Sequence, residues 1–571
     1  DQTAVDAVVM LEGFAQGVNW AAANARQLPP EFTFTGQKPW APWSPEDSLS
    51  VVRLLSFVLC FGAAHQLLRQ GLYDLFGAEA AKEWTSTALD ELDFPPTAPG
   101  DGQVSEELRK ATADILKAAM SVGTKSKGEG SNWWVVSGKH TKSGLPILAS
   151  DPHLTVKVPH FWYEINLHMR AKGGEKDSKA SSGGSTGSFI GAGVCAAGVP
   201  GLFIGHNSFC AWGITLGYGD VEDLFVTRLR KKQNGSNDWQ YQYDGKWRDA
   251  TVTREVLKVK GSEDREVEII STHRGVVLSS SGLQLYEPVA NKICEQESTE
   301  VNSSEVRVVL EYSGIQRRQA GTHAMESLQQ LLRARSFAEF DSACSHLSTN
   351  ISLNFGYADT NGHIGYVYTG EGPVRPTPRA SELLPIRGWS SEHDYKGYLD
   401  HKQLPKALDP EQGFLVSANH CIVDYKKGYP HYLGQVFKSG WRAAQIEANL
   451  LKLIDGANKV TPAQMIRLQN NTCSIPACEF VELVSMLKSS ELKELDGKPL
   501  SESQRSAIKW GMEQLDGLLK SGCDMTADSV GAAVYQLVHS RFVIRLLTSG
   551  FEKKKEELKA DSKGFTDDLL I

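Results

Sequence analysis

The residues with the most chemical potential lie where a polar loop meets an apolar strand. Residues 124–130 read Thr-Lys-Ser-Lys-Gly-Glu-Gly, and Ser131 then opens the run Asn132-Trp133-Trp134-Val135-Val136. A serine in that place is ordinarily a turn residue. It also has a second capacity. Its hydroxyl can attack the carbonyl of Gly130, whose missing side chain permits the strained geometry such an attack requires. An N-to-O acyl shift followed by hydrolysis would leave Ser131 as a new N-terminus. Its own α-amine, with an unperturbed pKa of about 7.7–8.0, would then serve as general base without a histidine relay. A competing serine stands at Gly183-Gly184-Ser185-Thr186-Gly187, which has the GxSxG form of a nucleophile elbow. That motif needs a strand before it and a helix after it. Here it sits inside a Gly/Ser-rich insertion, residues 172–188, which reads as a flexible surface loop. No P-loop, HExxH or dinucleotide fingerprint is present.

The elements that must position Ser131 follow from periodicity. Trp133 to Val136 is predicted to be a strand, Lys139 to Gly144 a turn, and Leu145 to Leu148 a returning strand. His153 lies 153 − 131 = 22 residues after Ser131, so the hairpin return can bring it back beside that serine. Further strand-like runs occur at residues 161–169, 201–204 and 209–215, and a hairpin at 351–368 turns at Asp359-Thr360-Asn361-Gly362. Ser336 and Glu339 form a capping box for a helix ending near Leu347. The first part, to about Gly123, reads as helical. Ser44-Pro45-Glu46-Asp47 opens one helix, and Ser105-Glu106-Glu107 opens another through Ala119. Helices return beyond Pro462. The layout is α, then a large β-rich block, then α.

Composition bounds the function. The chain has 571 residues, 60 Lys and Arg against 68 Asp and Glu, a net charge of −8 and 41% hydrophobic residues. This is globular composition, and the mild acidic excess argues against a nucleic-acid binder. The most apolar stretch, Leu54 to Ala64, is too short for a bilayer span and reads as a buried helix, so no membrane crossing is expected. Nine scattered cysteines without a CxxC pair argue against a structural metal knot. Sequons occur at Asn234, Asn302, Asn350 and Asn470. The sequence starts at Asp1 with no signal-peptide pattern, so a targeting segment is expected to be removed or to lie outside it.

An ordered series of motifs resembles the penicillin acylase (penicillin amidase) family of N-terminal-nucleophile serine hydrolases. It comprises Gly130-Ser131-Asn132 with Trp134-Val135-Val136-Ser137-Gly138, Ser143-Gly144-Leu145-Pro146-Ile147-Leu148-Ala149-Ser150-Asp151-Pro152-His153-Leu154, and Trp162-Tyr163-Glu164. It continues through Val199-Pro200-Gly201, Gly205-His206-Asn207, Ala211-Trp212-Gly213-Ile214-Thr215 and Asp220-Val221-Glu222-Asp223. It ends with Asn354-Phe355-Gly356-Tyr357-Ala358-Asp359 and Gly413 to Asn419. Gly17-Val18-Asn19 and Trp43 to Asp47 resemble the family's small-subunit segment. Trp133 is bulkier than the family's usual residue after Ser-Asn, and the 172–188 insertion is atypical.

The resemblance implies an α+β, four-layer αββα fold with an additional helical small-subunit segment, and a proenzyme cut between Gly130 and Ser131. Residues 1–123 would form the small subunit, 124–130 a spacer, and 131–571 the large subunit. Both subunits would be incomplete, or diverged, at their outer ends relative to the family. The implied reaction is hydrolysis of a small-molecule N-acyl amide, with no cofactor needed for the chemistry. Ser131 would be the nucleophile, Leu216 an oxyanion donor through its backbone N–H, and Asn354 a second donor through its amide. His153 would hold the α-amine, and Arg375, in Gly372-Pro373-Val374-Arg375, would support the same site. Asp220 and Asp223 match an acidic pair that binds structural calcium in some members, with Glu46 as a further ligand. His153 stands where phenylacetyl-preferring relatives tend to carry Gln, so the resemblance leans toward an aliphatic or lactone-derived amide. It also implies a periplasmic, secreted or vesicular location, and the two subunits as each other's partners. The rival reading is a homologue that keeps the fold, has lost processing, and serves as a binding or scaffold protein.

Overall fold

A computed structural model describes residues 2–36, 41–60, 62–63, 65–66, 69, 130–156, 158, 160–169, 189–232, 238–278, 305–316, 320–347, 351–370, 372–376, 384–424, 428–434, 437–456, 459–487, 493–495, 498–543 and 545. The expected helix at 105–119, the loop before Gly130, the 172–188 insertion with Ser185, and the sequons at Asn234, Asn302 and Asn350 lie outside these residues. The chain divides into two compact units, Asp1–Lys438 and Ser439–Ile571. The boundary expected at Gly130–Ser131 is one of maturation, so it need not coincide with a boundary of compactness.

The described residues of the first unit form three sheets. A three-stranded antiparallel sheet places β1 (Gly130–Val136) between β2 (Ile147–His153) and β18 (Phe414–Ser417). A seven-stranded sheet runs β17-β15-β14-β6-β5-β4-β3. Its strands are β3 (Trp162–Met169), β4 (Phe189–Ala196), β5 (Ile204–Asn207), β6 (Cys210–Leu216), β14 (Leu353–Asp359), β15 (Ile364–Tyr368) and β17 (Lys406–Leu408). The third sheet holds β7 (Glu222–Lys231), β8 (Trp239–Tyr243), β9 (Lys246–Asp249), β10 (Thr251–Leu257), β11 (Arg265–Ser271), β12 (Val276–Val277), β13 (Glu305–Tyr312) and β16 (Ile386–Arg387).

The alternation of side chains along a strand sorts the seven-stranded sheet into two faces. Trp212 and Ile214 of β6, with Leu353, Phe355 and Tyr357 of β14, share a core with helices. These are α1 (Gln2–Asn24), α3 (Pro45–Val58), α4 (Ala320–Leu331) and α5 (Phe337–His346), while α2 (Pro30–Thr35) is a short connector. Phe340 is the centre of that contact, with its ring 4.8 Å from Tyr357 and 5.8 Å from Phe355. The intervening residues Gly213, Thr215, Asn354 and Gly356 therefore face the three-stranded sheet. Gly213 and Gly356 are register partners, which leaves a patch without side chains where Trp133 of β1 lies. A Cβ on Gly356 would come within 2.5 Å of the Trp133 ring, and one on Gly213 within 2.7 Å of Ser150. The bulk of Trp133 is thus accommodated by two opposed glycines. The α+β class agrees with the expectation, and helix, sheet and sheet are three of the expected αββα layers.

Other expectations hold in part. The hairpin β14–β15 forms as read, and Ser336 caps its helix with Oγ accepting from the Glu339 N–H at 3.3 Å, while the Glu339 carboxylate accepts from the Arg335 N–H at 2.9 Å instead of closing a capping box. Asp47 accepts from the Ser44 N–H at 2.7 Å and fixes the start of α3. Asn19 and Trp43 exchange two hydrogen bonds, at 2.8 and 2.7 Å, which tie α1 to the entry of α3. The strand expected at 201–204 begins only at Ile204, because Gly201 turns the chain at φ +102°. The apolar stretch from Leu54 is not a buried helix. Helix α3 ends at Val58, and Leu54, Phe57 and Val58 are exposed. Its buried stripe is Ser48, Val52 and Ser56, spaced by one turn, so small residues rather than the largest ones make the close contact.

The second unit is helical from Trp441, earlier than Pro462. It contains α6 (Trp441–Ile454), α7 (Pro462–Gln469), α8 (Ile475–Ser485) and α9 (Glu502–Lys520), with a helix at 530–543. Ala477, Val481, Leu515, Leu518 and Tyr535 make its core. A disulfide joins Cys478 to Cys523 across Cα atoms 5.5 Å apart, a pairing the scattered cysteines had not suggested. Among the described residues no helix is long and apolar enough to cross a membrane.

The Trp133 contact yields a test. Gly356→Ala should overpack the interface between the two sheets and cost about 1–3 kcal/mol of stability. A thermal melt of the variant against the wild type reads this, and an unchanged midpoint would contradict the packing described.

Candidate active site

Antiparallel pairing fixes what stands next to Ser131. In the β1–β2 register Gly130 faces His153, Ser131 faces Pro152 and Asn132 faces Asp151. The hairpin return therefore does bring His153 to the point of the chain that precedes Ser131. His153 Nε2 lies 2.9 Å from Asp151 Oδ2 and 3.3 Å from Asn132 Nδ2, and Asn132 Nδ2 also donates to Asp151 Oδ2 at 3.3 Å. Asp151 and His153 alternate to the same side of β2, so the imidazole is held by a carboxylate two residues before it.

On the other edge of β1, β18 ends at Ser417 and the chain turns to Asn419. Asn419 is buried and has φ +64°, a left-handed conformation that asparagine tolerates better than most side chains. Its Oδ1 accepts from the Ser131 N–H at 2.7 Å, and its Nδ2 donates to the Leu216 carbonyl at 2.9 Å. One carboxamide thus spans from the backbone nitrogen of Ser131 to the last residue of β6.

Asn354, the second residue of β14, arrives from the strand that pairs with β6 and is buried. Its Nδ2 donates to Thr215 Oγ1 at 3.1 Å and to the Leu216 carbonyl at 3.3 Å. Tyr366 donates its hydroxyl to Asn354 Oδ1 at 2.7 Å, which fixes the amide with its nitrogen toward Leu216. The Trp133 indole donates to the Asn354 carbonyl at 2.9 Å, and Thr215 and Ser417 hydroxyls meet at 2.6 Å. Ser131, His153, Leu216 and Asn354 are therefore collected around the start of β1 from four strands.

Arg375, Asp220 and Asp223 form a second group. Arg375 Nε donates to Asp223 Oδ2 at 2.9 Å, and its Nη2 lies 3.4 Å from Asp220 Oδ2. All three side chains are buried, and the guanidinium also lies over the rings of Tyr395 and Tyr432. Asp223 further accepts from Tyr395 at 2.5 Å and from Gln66 Nε2 at 2.7 Å, while Asp220 Oδ2 accepts from Tyr432 at 3.1 Å. Burial pushes the Asp220 carboxyl above the usual carboxylate range, the Asp223 charge adds to this, and Arg375 opposes it. Burial likewise pushes Glu222 up to about 7.

Calcium seeks six to eight oxygen ligands. Here both oxygens of Asp223 are taken by protein donors, one guanidinium bridges the two acids, and of their carboxylate oxygens Asp220 Oδ1 is the one buried without a hydrogen-bond partner. Glu222 accepts from the Ala63 N–H instead, and Glu46 is exposed in the first turn of α3. Among the described residues no group of three or more His, Cys, Asp or Glu side chains is arranged to hold a metal ion. As arranged, these residues fit Arg375 and do not fit calcium.

The sequence pattern of the penicillin amidase family matches residues 2–568. The chain belongs to the penicillin amidase family. Its sequence is 28% identical over 537 residues to an acyl-homoserine lactone acylase QuiP of Pseudomonas aeruginosa, covering 92% of this chain and 57% of that protein. It is 26% identical over 553 residues to a penicillin acylase 2 proenzyme of Pseudomonas sp. strain SE83, covering 95% and 62%. The chain thus spans less than two thirds of the length of these relatives. A thermostable penicillin G acylase from Alcaligenes faecalis superposes at TM-score 0.48 with 21% identity, over 67% of this chain and 58% of that one.

Sequence reading did not assign roles to several residues of this penicillin amidase family member. Asn419 was quoted only as the end of a motif, although it is the residue that touches the Ser131 nitrogen. Asn132, Asp151, Thr215, Tyr366 and Ser417 were likewise given no role. Apart from the Asp151–His153 contact, their partners lie from 12 to 288 residues away, and no local pattern carries such pairings.

The buried ion pair gives the second test. Arg375→Ala leaves Asp220 and Asp223 without their cation, and removal of one partner of a buried pair typically costs about 3–5 kcal/mol. Denaturant unfolding should record a loss of that size, and a loss below about 1 kcal/mol would mean the pair is solvated and incidental.

Proposed function

We propose that this protein is a self-processing amidohydrolase that hydrolyses an N-acyl amide through Ser131 as an N-terminal nucleophile. The observation that carries the reading is the Asn419 carboxamide, which joins the Ser131 nitrogen to Leu216. That nitrogen is the atom that must become the general base, and Leu216 is the residue whose N–H must meet the oxyanion. In maturation the Ser131 hydroxyl attacks the Gly130 carbonyl, an ester forms as the Gly130–Ser131 C–N bond breaks, and the nitrogen leaves as an amine. Water then cleaves the ester and releases the Gly130 carboxylate. This cut gives residues 1–130 and the large chain 131–571, and a second peptide hydrolysis after residue 123 then removes 124–130 as a spacer and leaves 1–123 as the small chain. Buried contacts support their continued association: Gln66 pairs with both Asp223 and the Leu224 N–H, each at 2.7 Å.

In turnover the freed α-amine takes the hydroxyl proton as Ser131 attacks the acyl carbonyl. The negative charge on the former carbonyl oxygen is met by the Leu216 N–H and by the Asn354 amide, which turns from its long bond to the Leu216 carbonyl. The amine product leaves with the proton, and water repeats the sequence on the acyl-enzyme. Asn419 and the Asn132–Asp151–His153 group hold the serine and its amine in place. The names of the two relatives, a penicillin acylase and an acyl-homoserine lactone acylase, suggest an acyl chain joined to a β-lactam or lactone amine as the substrate class. The lean toward an aliphatic acyl group rests on His153.

Processing and catalysis are assigned to one oxygen, which makes the mutants decisive. Ser131→Ala should remain uncut and inactive. Ser131→Cys should still cut in part, because a thiol supports the acyl shift, but should turn over amides poorly. Ser185→Ala should behave as wild type. A denaturing gel and an amide-hydrolysis assay read all three, and full activity in Ser131→Ala would overturn the proposal. Asn354→Ala should lower kcat by about 10²–10³ while substrate still binds. An unchanged kcat would remove Asn354 from the mechanism.

A further inference from the structure

We propose that Ser352 is a positioning residue that locks the turn after β6, and with it the Leu216 N–H, onto the strand that carries Asn354. This rests on the reading above, in which Leu216 and Asn354 share an oxyanion. Two donors from different strands serve one oxygen only if their separation is held, and the structure contains a device for that. Immediately after Leu216 the chain passes through Gly217, Tyr218 and Gly219. Tyr218 has φ +51°, an uncommon conformation for an aromatic residue, which the surroundings must enforce.

The enforcing group is Ser352. Its carbonyl accepts from the Gly217 N–H at 2.8 Å, and its Oγ accepts from the Gly219 N–H at 3.0 Å. The same hydroxyl donates to the Tyr368 hydroxyl at 2.6 Å. Tyr368 is the register partner of Asn354 on β15, and Ser352 stands two residues before Asn354. The turn bearing one donor and the strand bearing the other are thus pinned to the same residue.

The packing leaves no slack. A Cβ on Gly217 would lie 2.3 Å from Ser352 Oγ, and one on Gly219 would lie 2.8 Å from both that oxygen and the Tyr368 hydroxyl. A Cβ on Gly370 would reach Ser352 Cα at 2.7 Å. Three glycines therefore close on one buried serine. The far end of the turn is held separately, by the Asp220 N–H on the Leu433 carbonyl at 2.8 Å, so loss of the Ser352 hydroxyl frees the middle of the turn at Gly219 and leaves the backbone bond from Gly217 as the one remaining Ser352 restraint beside Leu216.

The test uses the full chain and an N-acyl amide substrate, with rates expressed per titrated active site. Ser352→Ala should lower kcat by about 10-fold or more with KM within about twofold, since only a transition-state contact is displaced. Its affinity for a boronic acid that forms a tetrahedral adduct on Ser131 should fall in parallel with kcat. Gly217→Ala keeps the hydroxyl but wedges the turn away from it, so it should reproduce the kcat-selective loss and carries the test if Ser352→Ala does not fold. Tyr368→Phe, which leaves the bond to Gly219, should lose less than either. Wild-type kcat per site in Ser352→Ala or Gly217→Ala would overturn the proposal, as would a loss that falls on KM or disappears on active-site titration. A wild-type protein that neither cuts itself nor hydrolyses any N-acyl amide would instead refute the amidohydrolase reading.

Discussion

Strand β1 is hydrogen-bonded along both edges, to β2 on one side and β18 on the other, and Trp133 presses it onto a side-chain-free patch of the large sheet. This double pairing sets every position at the candidate site. The β2 register places His153 beside Gly130, the β18 end delivers Asn419 to the Ser131 nitrogen, and the Trp133 indole anchors the carbonyl of Asn354. A one-residue slip would send Ser131 to the opposite face and separate all of these at once. The glycines at 213 and 356 matter for the same reason. They bring the two sheets close enough for Thr215 and Ser417 to share a hydrogen bond between them.

Around that frame the polar groups divide by function. Near Ser131 the side chains are neutral amides and hydroxyls in mutually fixed orientations, together with the Asp151–His153 pair. Neutral dipoles held in this way need little reorganisation to stabilise a developing negative charge, here the exchange of the long Asn354 bond to the Leu216 carbonyl. Farther along, Arg375 and the acids of the segment 220–223 compensate one another in a buried setting, and Gln66 from the N-terminal segment joins them. The protein's own guanidinium offsets part of the negative charge there. The turn between Leu216 and Asp220 connects the two groups, so its rigidity links the ionic anchor to the proposed oxyanion donors.

Much of this was legible in the sequence because it is local. The change from a polar loop to Trp133-Trp134-Val135-Val136 marked β1, the Asp359–Gly362 turn marked the β14–β15 hairpin, and Ser336 with Glu339 marked the start of α5. The return of His153 toward Ser131 needed only a hairpin and a count of residues. Long-range pairings were another matter. Asn419 meets Ser131 across 288 positions, and its role depends on where β18 ends. Hydrophobicity alone misjudged α3, since Ser48 and Ser56 face inward while Leu54 and Val58 face out; close packing rewarded small side chains over large ones. The ion pair of Asp220 and Asp223 went unread for a related reason. Two acids spaced for a cation do not reveal that an arginine 152 residues away occupies their shared side.

The central claim is that Ser131 becomes a chain terminus and that its amine is the catalytic base. The most direct measurement is the N-terminal sequence and intact mass of the fragments in purified, active protein. The account predicts a large fragment that begins Ser131-Asn132-Trp133 and a separate small fragment that ends at or before Gly130. Active protein composed only of the uncut chain, or of fragments that begin anywhere other than Ser131, would contradict it.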